Sequence, residues 1–174
     1  MLERLKEIWL DAKQMRDERG LTLIELLVVV VILGIIAAIA VVAIGGLIEN
    51  SRKDAVVSDA KQLVAAAKLY TSSNPVQPGE TVKVGVNEAG KAIKTNKVAK
   101  GTDATPRVDS LSKYIDDMKD ALNSDADYKD SYVTVTEKNG TYTYEVTLAS
   151  KSDDYTYFTK AAPGELKRTG VVEK

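Results

Sequence analysis

Residues 26–48 read LLVVVVILGIIAAIAVVAIGGLI, 23 positions without one charged or strongly polar side chain, bounded by Glu25 and Glu49. Nothing else in the 174-residue chain resembles this run. As a helix it would be about 34 Å long, enough to cross a hydrocarbon core of about 30 Å. A secretory signal has a shorter apolar region, about 7–15 residues, and ends on small residues. Here the run is followed instead by Glu49-Asn50-Ser51-Arg52-Lys53. A soluble core helix that is apolar all round would need a larger body than the part of the chain that follows. The run therefore predicts a membrane span.

The residues in front of it sharpen the reading. Met1 to Gly20 carries Arg4, Lys6, Lys13, Arg16 and Arg19 against Glu3, Glu7, Asp11, Asp17 and Glu18, with Leu2, Leu5, Ile8, Trp9 and Ala12 at helical spacing. Then comes Arg19-Gly20-Leu21-Thr22-Leu23-Ile24-Glu25. A charged leader ending in Gly20, an apolar residue, Thr22, Glu25 and a long apolar helix containing Gly34 together resemble the class III signal of type IV pilins and type II secretion pseudopilins. The resemblance implies that a prepilin peptidase cuts between Gly20 and Leu21 and methylates the amine of Leu21. The mature chain would then lack the first 20 residues, and Glu25 would be its fifth.

A carboxylate beside a membrane span costs a few kcal/mol unless it is paired or reaches water. In a helical assembly of staggered subunits its partner would be the terminal amine of a neighbouring Leu21, fixing axial register as a lone polar residue does in a coiled coil. The alternative is a Glu25 that sits at the headgroup boundary. Thr22 and Glu25 are the expected assembly residues. Many members of the family carry proline where this chain has Val42. Gly34, Gly45 and Gly46 are the expected positions of helix flexibility, and Gly45-Gly46 would supply a comparable weak point, since each glycine lowers helix stability by about 1 kcal/mol. Cysteine is absent, unlike the loops of Gram-negative pilins, which leans toward a Gram-positive source.

With no His and no Cys, a disulfide framework, a Cys/His zinc site and a Ser-His-Asp triad are excluded. The charge balance, 24 basic against 25 acidic residues, argues against nucleic-acid binding through a global positive field. No pair of carboxylates is marked for hydrolysis, so no catalytic residue is expected. Asp125, Asp127 and Asp130 could gather oxygen ligands for calcium, although the EF-hand spacing is missing.

Beyond the span, Val56, Ala60, Leu63, Ala67 and Tyr70 share one face, predicting an amphipathic continuation of the helix. Thr71-Ser72-Ser73-Asn74-Pro75 breaks it. Residues 81–108 read as a surface loop or irregular hairpin with one weak strand near 82–86 and net charge +4. Residues 109–130 carry −4, which suggests internal pairing or complementary faces between stacked subunits. Leu111, Tyr114, Ile115, Met118 and Leu122 predict a short helix over 110–122. Asn139-Gly140 between two alternating runs predicts a hairpin of residues 132–138 and 141–148. A third strand is expected at 155–159, and the tail from Pro163 reads as polar and partly loose. The abundant tyrosines read as ordinary sheet packing.

The expected architecture is α+β and pilin-like. It has a cleaved leader at 1–20, a long N-terminal helix at 21–72 with 26–48 in the membrane or filament core, and a globular domain at 73–174 with a variable loop, a short helix and an antiparallel sheet. The resemblance implies a structural subunit that polymerises with identical copies, served by a prepilin peptidase, a membrane assembly platform, a cytoplasmic ATPase and minor pilins. A pilus, a secretion pseudopilus and a competence pilus that captures DNA share this machinery. An anchored single-span domain that does not polymerise is the contrasting class.

Overall fold

The computed structural model describes residues 3, 4, 7, 22–96, 98–123, 126–152 and 154–174. The leader expected at 1–20, with Trp9, falls almost wholly outside the described residues. The apolar run and its amphipathic continuation form one helix, α1 (Leu23–Ser73), unbroken through Val42, Gly45 and Gly46. Its end is sealed where the sequence placed the break. The Thr71 and Ser72 hydroxyls donate back to the Lys68 carbonyl at 3.0 and 2.8 Å, and Pro75 follows. The chain divides into two units, residues 1–46 and residues 47–174.

In the second unit α1 buries Val56, Val57, Ala60, Leu63, Val64, Ala66, Ala67 and Tyr70, so the predicted face is the one that packs. It packs on a sheet. β1 (Thr81–Glu88) turns through Ala89-Gly90 into β2 (Lys91–Ala92). β3 (Arg107–Ser110) lies parallel to β1, with Val84 opposite Asp109. β4 (Lys119–Asp120) and β5 (Ala126–Asp127) form a separate two-stranded ladder. β6 (Asp130–Lys138) and β7 (Thr141–Ala149) make the predicted hairpin, its turn held by positive φ at Asn139 (53°) and Gly140 (80°). β8 (Tyr155–Thr156) pairs with β10 (Val172–Glu173), and β9 (Phe158–Ala161) pairs with β7. The main sheet runs β2-β1-β6-β7-β9, antiparallel throughout, with β3 added on β1.

The core forms where one face of the sheet meets α1. Val84, Val133 and Val146 stand in register across three strands, as do Val82 and Val135. All five are fully buried. The fold is thus an α+β, pilin-like arrangement of a long N-terminal helix and an antiparallel sheet.

Three expectations need correction. Residues 110–122 are not a helix. Asp109 and Ser110 belong to β3, a single turn follows in which Tyr114 and Ile115 donate to the Leu111 carbonyl, and Lys119 starts β4. Pairing with β1 satisfies the backbone that a helix would otherwise have used. Next, β1 is not a weak strand on a loop but an interior strand of the sheet, paired with β2, β3 and β6, with Val82 and Val84 fully buried. Finally, the tail is not loose. Two 3-10 turns (Pro163–Glu165 and Arg168–Gly170) place Leu166 and Val171 in the core before β10. The expected third strand is present as β8 and β9.

Candidate assembly and processing site

Within residues 22–46 the polar side chains stand together at the head of α1. Thr22 is the N-cap, and its amide and hydroxyl both donate to Glu25 Oε2 at 2.8 Å. The Glu25 amide donates to Thr22 Oγ1 at 3.3 Å, and the Leu26 amide to the Thr22 carbonyl at 3.0 Å. This is a capping box, in which a hydroxyl and a carboxylate three residues apart satisfy each other's orphan amides. The Thr-x-x-Glu spacing announces it in the sequence. Thr22 and Glu25, the two expected assembly residues, thus bind one another. Both side chains are exposed. Gly20 and Leu21, the expected cleavage pair, lie outside the described residues.

Below this cap the helix presents bare hydrocarbon. Eighteen large apolar side chains between Leu23 and Ile48 are exposed, while only Leu69 and Val172 are so exposed elsewhere among the described residues. By length and composition this helix can cross a membrane. Gly34, Gly45 and Gly46 have no atom within 4 Å of where a Cβ would stand, so side chains fit there without clash. At the polar end of the run Glu49 and Lys53 pair at 2.6 Å, one helical turn apart.

In the second unit the tyrosines do more than fill the sheet. Tyr128 donates to Asp59 on α1 at 2.8 Å, Tyr70 on α1 donates to Asp109 at 2.7 Å, and Tyr144 lies 3.0 Å from the Thr71 hydroxyl. Burial and then the Asp59 charge push the Tyr128 hydroxyl up, and burial and then Asp109 do the same for Tyr70, so both remain donors. Asp109 also accepts from Thr95, which ties the residue-95 loop to the end of α1. Three acids that the sequence did not single out are buried, and one of them, Asp120, accepts the Tyr157 hydroxyl at 2.7 Å. Glu80 accepts the Gln77 amide at 2.9 Å and forms an ion pair with Arg107 at 2.9 Å, and Glu137 accepts the amides of Gly79 and Gly140 at 2.7 and 2.5 Å.

Two of the three calcium candidates lie among the described residues. Asp127 pairs with Lys119 at 2.6 Å, Asp130 accepts the Ala89 amide at 2.9 Å, and Asp125 lies outside them. No group of three or more metal-ligating side chains occurs among the described residues. Among the described residues no ion pair joins the two oppositely charged segments. Lys83 pairs with Glu88, Arg107 with Glu80, and Lys119 with Asp127.

The prokaryotic N-terminal methylation motif matches residues 15–41, the stretch that contains Gly20, Leu21, Thr22 and Glu25. The chain is 39% identical over 64 residues to type II secretion system core protein G of Klebsiella pneumoniae, covering 37% of this chain and 46% of that protein. It is 41% identical over 66 residues to the protein of the same name from Vibrio cholerae, covering 38% of this chain and 45% of that one. The chain thus spans less than half the length of the curated relatives it matches. No solved structure matches it. The chain carries the prepilin-type methylation motif and is similar, over about a third of its length, to these secretion proteins. None of this supports a Gram-positive source.

Proposed function

We propose that the chain is the structural subunit of a type IV pilus-like filament, cut after Gly20, methylated on Leu21 and polymerised through α1. One observation carries the reading. A methylation motif heads a helix whose large apolar side chains from Leu23 to Ile48 are exposed, so the helix calls for lipid first and for identical helices later. Lipid is as apolar as leucine, so hydrophobicity does not favour the second environment, and close packing with a defined polar contact must supply the preference. Glu25 is the polar group placed to supply it, by pairing with the Leu21 amine of a neighbour. The role is structural, and extraction would draw on a separate ATPase and assembly platform, with minor pilins at the tip.

The names of the two relatives favour a second reading, a secretion pseudopilus built by the same mechanism. Mass spectrometry of the membrane fraction tests the shared step. A chain starting at N-methylated Leu21 is expected, and an intact Met1 would instead indicate an anchored domain. Loss of the leader also removes Trp9, the only tryptophan, so mature material should show no tryptophan fluorescence. Comparing surface fibres, protein secretion and DNA uptake in a deletion strain separates pilus, pseudopilus and competence pilus.

A further inference from the structure

The Glu137 carboxylate holds two turns at once. Its Oε2 accepts the Gly79 amide at 2.7 Å, from the turn that leads into β1, and its Oε1 accepts the Gly140 amide at 2.5 Å, from the β6–β7 hairpin. Gly79, Asn139 and Gly140 all have positive φ, at 73°, 53° and 80°. Only 4% of Glu137 is exposed, whereas Asn139 and Gly140 are open to solvent, and a hollow of about 450 Å³ beside Pro78 and Gly79 brings water to the hairpin. Burial therefore stops at Glu137, and the Asn-Gly pair stands in water.

An asparagine followed by glycine carries a reaction of its own. Glycine has no Cβ, so its amide nitrogen can approach the preceding Asn Cγ without obstruction. Once that nitrogen has lost its proton to hydroxide, it attacks Cγ. The new N–C bond closes a cyclic imide as the bond from Cγ to the side-chain nitrogen breaks, and that nitrogen leaves as ammonia after taking a proton from water. Water then opens the imide at either carbonyl, giving aspartate or isoaspartate, and nothing is oxidised or reduced. Either product adds a negative charge. Isoaspartate also adds a backbone atom to a two-residue turn whose length sets the β6–β7 register.

We propose that Asn139-Gly140 is a latent self-modification site and that Glu137 is the residue that keeps it closed. The proton that must leave is the one that the carboxylate holds, so ionising the Gly140 nitrogen would set a second negative charge against a buried first. Positive φ at both turn residues fixes the hairpin geometry, and the Gly140 N–H within it is directed at Glu137. The Gly79 contact holds the carboxylate from the other side. This goes beyond the filament reading and stands whether or not the chain polymerises.

The full-length chain in detergent, incubated at mildly alkaline pH and mapped by peptide mass spectrometry, tests it. Conversion at Asn139 should be roughly ten-fold or more slower in the folded wild type than in the same chain unfolded in urea, because a charge-assisted hydrogen bond must open first. Glu137→Gln, which is neutral, should regain most of the lost rate while keeping the near-ultraviolet tyrosine signal of the folded state. Exchange of the Gly140 amide with deuterated solvent should be slowed to a similar degree in the folded wild type, a measurement that needs no variant. Equal conversion in folded and unfolded wild type, or a Gly140 amide that exchanges as fast folded as unfolded, would overturn the proposal. A folded Glu137→Gln that converts as slowly as the wild type would overturn it too, by removing Glu137 as the guard.

Discussion

Tyr128 and Asp59, 69 residues apart in sequence, meet at 2.8 Å where the sheet side of the core touches α1, the hydroxyl donating to the carboxylate. Tyr128 is fully buried and packs edge-on against Tyr157 at 6.1 Å, so its hydroxyl has no route to water. The hydrogen bond gives that buried donor its partner and gives Asp59 one of its acceptor contacts.

Tyr128→Phe removes the donor and leaves Asp59 half-buried with one fewer partner. A loss of about 1–3 kcal/mol is expected. Thermal unfolding of the full chain in detergent, followed by the near-ultraviolet signal of the tyrosines, measures it. A midpoint equal to wild type would show that Asp59 finds another donor at no cost.

Asp59 also predicts a pH dependence. Burial holds its carboxyl above the ordinary value of 3.8, against the lowering effect of the Tyr128 hydrogen bond and with help from the Asp120 charge. The folded protein therefore binds the Asp59 proton more tightly than the unfolded chain. The stability this contributes is complete below 3.8 and is lost as pH rises through the folded-state value. Asp59→Asn should flatten that component, so the difference in stability between variant and wild type should grow in the variant's favour as pH rises above this window. A difference that does not change with pH would remove Asp59 from the account.

The capping box separates two roles of Glu25. Glu25→Gln keeps an acceptor at the N3 position but removes the charge, and Thr22→Ala removes the cap hydroxyl but keeps the charge, at a cost of about 1 kcal/mol to the helix end. If the carboxylate pairs with a neighbour's amine, Glu25→Gln should be processed and membrane-bound yet poorly assembled, while Thr22→Ala should assemble. Sheared-filament yield decides. Full assembly of Glu25→Gln with failure of Thr22→Ala would assign Glu25 to capping alone.

How much of this was legible follows from how local each signal is. α1 announces itself by the unbroken run after Thr22 and the 3.6-residue spacing from Val56 to Tyr70, and the β6–β7 hairpin by Asn139-Gly140. Both are settled within a few residues of chain. Residues 110–122 show the opposite case. Leu111 and Met118 are buried as their spacing requires, but Asp109 is claimed by Tyr70 and Thr95, and β3 by a parallel edge of β1 more than twenty residues earlier. Such a register is fixed by tertiary contacts that no local pattern records. The site divides the same way. The Thr22–Glu25 pair is readable at three-residue spacing, whereas the burial of Glu80, Asp120 and Glu137 depends on the folded body.

Gly85 is a test of β1 as an interior strand of the sheet. A Cβ there would stand 2.4 Å from Tyr132 Cβ and 2.5 Å from the Ser131 carbonyl oxygen, where the β1–β6 register shifts between Gly85 and Asn87. Backbone cannot yield as a flexible side chain would, so Gly85→Ala should destabilise the second unit by about 1–3 kcal/mol or more. Limited proteolysis of the full chain should then cleave within residues 81–138. Unchanged protease resistance would place β1 differently from the sheet described.

Gly45 and Gly46 offer the last test, because the helix passes through them without a break. Their Cβ positions are open, so alanine there alters only backbone freedom within the chain, stiffening the helix by about 1 kcal/mol per site. If the subunit must loosen α1 locally to fit among its neighbours, Gly45→Ala/Gly46→Ala should accumulate as processed membrane protein and give fewer filaments. Gly34→Ala, equally open but deep in the apolar run, should behave as wild type. Equal filament yields from all three proteins would mean that α1 enters the fibre without loosening at Gly45 and Gly46, and that the two glycines serve no hinge.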